Sequence, residues 1–373
     1  MFWNPATTTQ VPGIQIESVL SGVIPYAANT PGAGSLLFGF GGTGDTAKDA
    51  LVPAGYFSYQ LNPNLWLGMS VNSPFGLSVT FPDVWAGRDY AAGGSNLKTY
   101  NATPSFAYRI NDMISVGVGV QIQYAKADLS TGPTPYGVYL LNAELAGHGW
   151  GYGFTAGVTL TPTPTTTIGL GYRSAINQKI DGTLAVTASP TADVSTTLNL
   201  PDIVSLGIRQ RVNQQLTLLG TVEWSNWSRI GTSNVVTPGG VTATTLPFQY
   251  QDGWFFSAGA EYQWNEQLAL RTGVGYEKSP IADQVRTPLL PDNDRLWLSV
   301  GGTYRLTPKM FFDLAYSHIF VKSTSINVVA GNPWFDGAAY VGDVSSHVDI
   351  ISVAMKYRWD NPAPAPTSTL YHK

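Results

Sequence analysis

The sequence predicts an all-β fold, a membrane-spanning antiparallel up-and-down β-barrel of about fourteen strands. Three observations carry this. Charged residues make up only 12% of the 373 residues, against roughly 25% in a soluble domain, yet mean hydropathy is close to zero. Two-residue hydrophobic alternation recurs along most of the chain. Connections alternate between tight turns and long segments rich in Gly, Pro, Ser and Thr.

Composition narrows the class first. Thr, Ser, Asn, Gln and Gly occupy the places where Lys and Glu would sit in a soluble protein, which needs surface charge to stay dispersed. A helical membrane protein would need long apolar runs. The most tempting charge-free stretch, Gly149 to Tyr172, contains Pro162, Pro164 and a string of threonines, so it cannot be a spanning helix. A closed barrel is the remaining structure that satisfies every backbone group within lipid. The absence of cysteine suits exposure to an oxidising compartment. A net charge of −4 and a pI near 5.5 argue against a nucleic-acid partner.

The alternation is clear in several segments. Leu296, Leu298, Val300, Tyr304 and Leu306 oppose Arg295, Trp297, Ser299, Gly301, Thr303 and Arg305. Ile114, Val116, Val118, Val120 and Ile122 oppose Ser115, Gly117, Gly119 and Gln121. A solvated face would be richer in Lys and Glu; Gly, Ser and Gln suit a crowded interior. The apolar faces end in Tyr or Trp (Trp224, Tyr262, Trp264, Tyr276, Tyr304, Tyr357, Trp359), as the aromatic girdles of a lipid-facing barrel do.

Tight turns fall at Leu61-Asn62-Pro63-Asn64, Ile110-Asn111-Asp112, Thr161 to Pro164, Val212-Asn213-Gln214, Trp264-Asn265-Glu266 and Leu306-Thr307-Pro308. Long segments lie between them at roughly 27–50, 77–97, 128–147, 176–199, 230–249, 279–293 and 323–345. Six turns and seven loops give about fourteen strands with both termini on the periplasmic side. A secreted β-sandwich or β-helix would explain neither this alternation nor the missing charge.

Eight segments resemble the FadL family of outer-membrane transporters (the OmpP1/FadL/TodX family). They are Asn4-Pro5-Ala6, Ser73-Pro74-Phe75-Gly76-Leu77, Trp85-Ala86-Gly87-Arg88, Pro104 to Tyr108, Leu170-Gly171-Tyr172-Arg173-Ser174, Glu223 to Ser228, Leu270 to Gly273 and Leu290 to Arg295. The resemblance implies a fourteen-stranded barrel in the bacterial outer membrane, in contact with membrane lipid and lipopolysaccharide and acting as a monomer. It further implies uptake of hydrophobic molecules, long-chain fatty acids first and aromatic hydrocarbons as the alternative, without cofactor or metal. Ligand would be released sideways through a gap at a kink in the third strand.

In this chain that strand is expected at roughly Leu65 to Leu77. Pro74 lacks a ladder donor, so Asn72, Ser73, Pro74, Phe75 and Gly76 are the expected gate, approached by Asn4 of the hatch motif. The family's longer hatch and signal peptide would lie upstream of that motif. The expected organisation is therefore a truncated N-terminal plug at 1–12, a barrel at 13–359 and a disordered periplasmic tail at 360–373.

The segment 128–147 is greasy for an exposed loop, with Tyr136, Val138, Tyr139, Leu140, Leu141 and Leu145; such a patch suits ligand capture. Strand parity turns Arg173, Arg209, Arg211, Arg271, Arg295 and Arg305 inward with Glu223, Glu261, Glu277 and Asp313. Most should pair with one another, and Arg173 and Arg271 are the candidates for a ligand carboxylate. Gly39 to Gly44 fits GxGxxG but lacks a βαβ context. The four histidines show no metal spacing, and no specific triad supports a barrel lipase. A general porin is the other competing class.

Overall fold

The computed structural model describes residues 1–132 and 142–359. Strands β1 (Ile14–Pro31) and β2 (Ala50–Asn62) come first, and β3 has two segments, Leu65–Asn72 and Gly76–Phe81. β4 (Gly93–Arg109), β5 (Ile114–Thr131) and β6 (Ala143–Thr163) are long and unbroken. Four interrupted strands follow: β7 (Thr166–Arg173, Ile176–Val186), β8 (Ala192–Leu200, Ile203–Arg211), β9 (Leu216–Ser225, Thr232–Val236) and β10 (Thr242–Pro247, Gly253–Gln263). β11 (Leu268–Lys278), β12 (Arg295–Arg305) and β13 (Met310–Val321, Thr324–Val328) lead to β14 (Tyr340–Arg358). β14 pairs with β1 from Gln15↔Arg358 to Pro31↔Gly342 and closes the fourteen-stranded antiparallel barrel.

The alternation acts as expected. Leu296, Leu298, Val300 and Tyr304 lie exposed on the outer face of β12, while Trp297 and Ser299 turn inward. Exposed apolar side chains are lipid contacts in a barrel. Trp264, Tyr304 and Trp359 mark one rim, and Trp150, Tyr152, Trp254 and Tyr276 the other. The short turns are built by asparagine. Asn111, Asn213 and Asn265 each accept two backbone N–H groups through Oδ1, at 2.8–2.9 Å, which fixes a turn locally.

The long connections differ from expectation. Much of 176–199, 230–249 and 323–345 is strand, in hairpins that rise above the lipid-facing zone. Beyond the membrane these strands need no apolar outer face, so Thr, Ser and Val pair without the pattern that marks a spanning strand. Likewise β5 runs to Thr131 and β6 starts at Ala143, which shortens 128–147 to a connection at 132–142.

A second core sits above the barrel. Val79, Phe81, Trp85, Tyr90, Ile326, Val328, Tyr340 and Val344 pack the 82–92 connection against the upper parts of β3, β13 and β14. Arg88 is buried and donates to the carbonyls of Asp83 and Gly132, each at 2.7 Å, tying that connection to the end of β5.

At the other end of the lumen, Pro5–Gln10 forms a short 3-10 helix capped by Asn4. Asn4 Oδ1 accepts the Ala6 N–H at 2.9 Å, and Nδ2 donates to Val158 O at 2.9 Å and Leu170 O at 3.2 Å. A Cβ on Gly157 would stand 2.0 Å from Asn4 Oδ1, so only glycine admits this side chain. Asn4→Ala is expected to loosen the segment by about 1–3 kcal/mol, read as faster amide exchange at Ala6–Gln10. Unchanged exchange would mean that the cap does not anchor it.

Candidate functional site

Above the membrane the inward faces become apolar. Ile176 and Ile180 on β7 and Val194 on β8 are buried, where the lower strands turn Gly, Ser and Thr inward. With Leu97 (β4), Leu129 (β5), Leu145 (β6) and Val235 (β9), Ile180 and Val194 line a cavity of about 150 Å³. Phe248 and Tyr250, in and beside the interruption of β10, and Trp334, before β14, complete its aromatic side. Leu77, Leu289 and Trp334 also pack against the upper core, which therefore roofs the cavity. Burial, then the Asp292 carboxylate, pushes the Tyr250 phenol above its ordinary range, so it stays a neutral donor at physiological pH.

β7 reaches this position because β6 has Gly147, Gly149, Gly151 and Gly153 on the facing side. A Cβ on Gly149 would stand 2.0 Å from Lys179 O. Below, buried amides link the walls: Gln123 Nε2 donates to Gln178 Oε1 at 3.1 Å, and Gln178 Nε2 to Gly149 O at 2.9 Å.

The third strand breaks at Ser73–Phe75. Its ladder with β2 runs from Asn62↔Leu65 to Gly55↔Val71 and then stops. Contact with the chain before β2 resumes only at the Ala47↔Val79 bridge, with Lys48 N–H donating to Ser78 O at 3.0 Å. Between these points Ala50 and its neighbours pair with β1 alone. Pro53 on one flank and Pro74 on the other lack donors, so neither can bridge the gap. Val52 to Ala54 and Asn72 to Phe75 line a second cavity of about 310 Å³, with Phe2, Trp3 and Arg173 on its inner side.

Five aromatic rings connect the two cavities. Phe75 at the break meets Trp227 at 5.7 Å between ring centroids. Trp227 meets Tyr250 at 6.3 Å, Tyr250 meets Phe248 at 5.6 Å, and Phe248 meets Trp334 at 5.7 Å.

The residues singled out from sequence separate into groups. Asn72, Ser73, Pro74 and Phe75 line the lower cavity and Gly76 begins the upper segment of β3. Asn4 is held on β6 and β7, and its neighbours Phe2 and Trp3 reach the cavity instead. Leu145 lies in the outer cavity wall; Tyr136, Val138, Tyr139, Leu140 and Leu141 fall outside the described residues. Arg173 lines the lower cavity but donates to Phe2 O at 2.8 Å and to Gln121 Oε1, with its guanidinium 3.8 Å from the Phe2 ring centre. Arg271 lies away from both cavities, bound to Glu261 at 2.8 Å and Asp313 at 3.2 Å. Arg209 joins Glu261 at 2.9 Å and Lys356 joins Asp313 at 2.9 Å, which completes a charged network facing the lumen.

Sequence reading missed Ile180, Val194, Phe248, Tyr250 and Trp334. The signal was present as alternation in Ile176, Gln178 and Ile180, inside a stretch taken for a loop.

A closed barrel with a lipid-facing apolar wall, a segment packed in its lumen and an apolar cavity above a broken strand defines an outer-membrane transporter. The pattern of the outer membrane protein transport protein family (OMPP1/FadL/TodX) matches residues 1–359, and the chain belongs to that family. It is 27% identical over 326 residues to the long-chain fatty acid transport protein of Escherichia coli O157:H7, covering 75% of this chain and 73% of that one. Its fold matches a Pseudomonas aeruginosa FadL homologue with a TM-score of 0.87 at 22% identity, covering 96% and 93% of the two chains. It also matches the Ralstonia pickettii toluene transporter TbuX with a TM-score of 0.73 at 19% identity, covering 96% and 93%. Members of the family are transporters, and the protein is a multi-pass outer-membrane barrel.

Proposed function

We propose that the protein captures hydrophobic molecules in the outer cavity and releases them sideways through the break in β3, without covalent chemistry. The observation that carries this is the aromatic series from Trp334 to Phe75, which joins an enclosed apolar site to a gap in the barrel wall. An apolar path keeps the ligand out of water while the polar lumen is bypassed. Long-chain fatty acids are the first reading, supported by the relatives' named cargo. Uncharged hydrocarbons are the second, supported by a cavity wall that carries no Lys, Arg or His among the described residues. The segment at 1–12 is the inner stop, and lipid and lipopolysaccharide surround a monomeric barrel.

Binding of oleate and toluene to the refolded barrel tests the reading. Saturable binding of either supports capture; binding of neither, with ion conductance instead, would return the protein to the porins. Ester hydrolysis by the purified protein would favour the lipase class.

Arg271→Gln separates the lumen network from the ligand path. It should lower the unfolding midpoint, because Glu261 and Asp313 lose their shared cation, and leave the oleate-to-toluene preference unchanged. An altered preference would give Arg271 a ligand role.

A further inference from the structure

Independently of the ligand path, we infer that the outward face of β4 to β7 at the upper rim is a docking surface for the phosphorylated headgroup of an outer-leaflet lipid, the lipopolysaccharide of this membrane. Two rows of side chains build it. Tyr100 pairs across the ladder with Tyr124, and Tyr124 with Trp150; the last two ring centroids are 5.1 Å apart. Tyr100 and Trp150 are 52% and 55% exposed, as the rings of a lipid-facing girdle are. Two residues higher on each strand stand Lys98, Lys126 and His148, again directly opposite one another. β7 adds Lys179, beside Asp181, which faces His148. The neighbouring Thr99, Ala125 and Gln178 are buried on the inner side, so the charged row points away from the lumen. Same-face residues of a strand are about 6.7 Å apart, and a tilt of about 40° leaves the lysines about 5 Å above the rings. Rings at the apolar boundary with ammonium groups just beyond it follow the order of acyl chain and headgroup in a leaflet.

Charge sets this sector apart. Like charges directly opposite on neighbouring strands are destabilising, yet Lys98 faces Lys126. Among the described residues Lys98 has no acid within ion-pair distance, and Lys126 and Lys179 reach Asp128 and Asp181 only at 3.7 Å, with both lysine side chains more than half exposed. Loose surface pairs of this kind bind weakly. A phosphate seated between Lys98 and Lys126 relieves their repulsion and accepts hydrogen bonds from both. Elsewhere on the rim the aromatic groups are already held by carboxylates. Trp224 donates to Asp252 at 3.0 Å, Tyr276 to Asp294 at 2.8 Å and Tyr316 to Asp349 at 2.6 Å. A phosphate beside those rings would meet a charge of its own sign.

The test is binding of lipid A to the full chain in non-ionic detergent, comparing the diphosphorylated form with one stripped of phosphate. The diphosphorylated form should bind about tenfold or more tightly, and raising the salt from about 0.1 M to about 0.5 M should narrow the gap. Lys98→Gln combined with Lys126→Gln should weaken its binding about tenfold to thirtyfold, since a lysine beside an anionic lipid surface contributes roughly fivefold. Lys278→Gln combined with Lys322→Gln, exposed lysines on the other side of the barrel, should leave it within about twofold of the original chain, the residue of a general attraction. Oleate and toluene binding should be the same in both double variants. Equal affinity for the two forms of lipid A, or equal loss in the two double variants, would overturn the inference. Complete displacement of lipid A by millimolar inorganic phosphate would overturn it too, by making the free ion the ligand.

Discussion

Sealing the break in β3 is expected to abolish most uptake while sparing capture. Replacing Ser73-Pro74-Phe75 by Thr-Val-Thr restores a backbone donor at position 74 and a strand-forming sequence. Continuing the existing register would set residues 73–75 opposite Pro53, Val52 and Leu51, since Gly55 already faces Val71. Two or three added ladder bonds at about 1 kcal/mol each would make an open gap rarer on the order of tenfold to hundredfold. Uptake of toluene into vesicles should fall accordingly, with detergent-phase binding unchanged. Because Phe75 is lost, Phe75→Thr alone serves as the control for the missing ring. Undiminished uptake by the sealed variant would mean that ligand leaves through the lumen instead.

Filling the outer cavity should have a comparable effect on binding. Ala127 faces the cavity from β5, opposite Gly147. Ala127→Trp places an indole in a space of about 150 Å³ and should weaken ligand binding on the order of tenfold or more, each tenfold being about 1.4 kcal/mol. Overpacking there costs about 1–3 kcal/mol at most sites, but it falls above the lipid-facing wall, so the unfolding transition of the barrel should move little. Val118→Trp, on the exposed outer face of β5, is the matching control and should leave binding intact. Equal binding by Ala127→Trp and the original chain would exclude this cavity as the capture site.

The elements differ in how far they could be read in advance. Leu296 to Tyr304 alternate because one face meets lipid and the other a packed lumen, so the environment writes a period of two into the chain. Asn111, Asn213 and Asn265 announce their turns because the hydrogen bonds that make the turn are local. Pro74 announces a break for an equally local reason, the missing N–H. By contrast, the upper hairpins of β7/β8 and β9/β10 read as loops, since their outer faces meet water rather than lipid and only the inner face, as at Ile176, Gln178 and Ile180, is buried.

Those hairpins and the connection before β14 bear the outer cavity, which is why Ile180, Val194, Tyr250 and Trp334 went unseen. Their meeting depends on how far β7 leans over the glycines of β6 and on where the interruption of β10 and the connections before β12 and β14 fold back, and no window of sequence contains that information. Parity turned Arg173 and Arg271 inward alike; their different partners, Phe2 and Gln121 for one and Glu261 and Asp313 for the other, follow from strand stagger. Barrel, strand count, turns and the site of the break are consequences of local chemistry and of the solvent on each face. The cavity, the aromatic path and the pairing of each inward charge are consequences of closure, which brings together residues up to hundreds of positions apart.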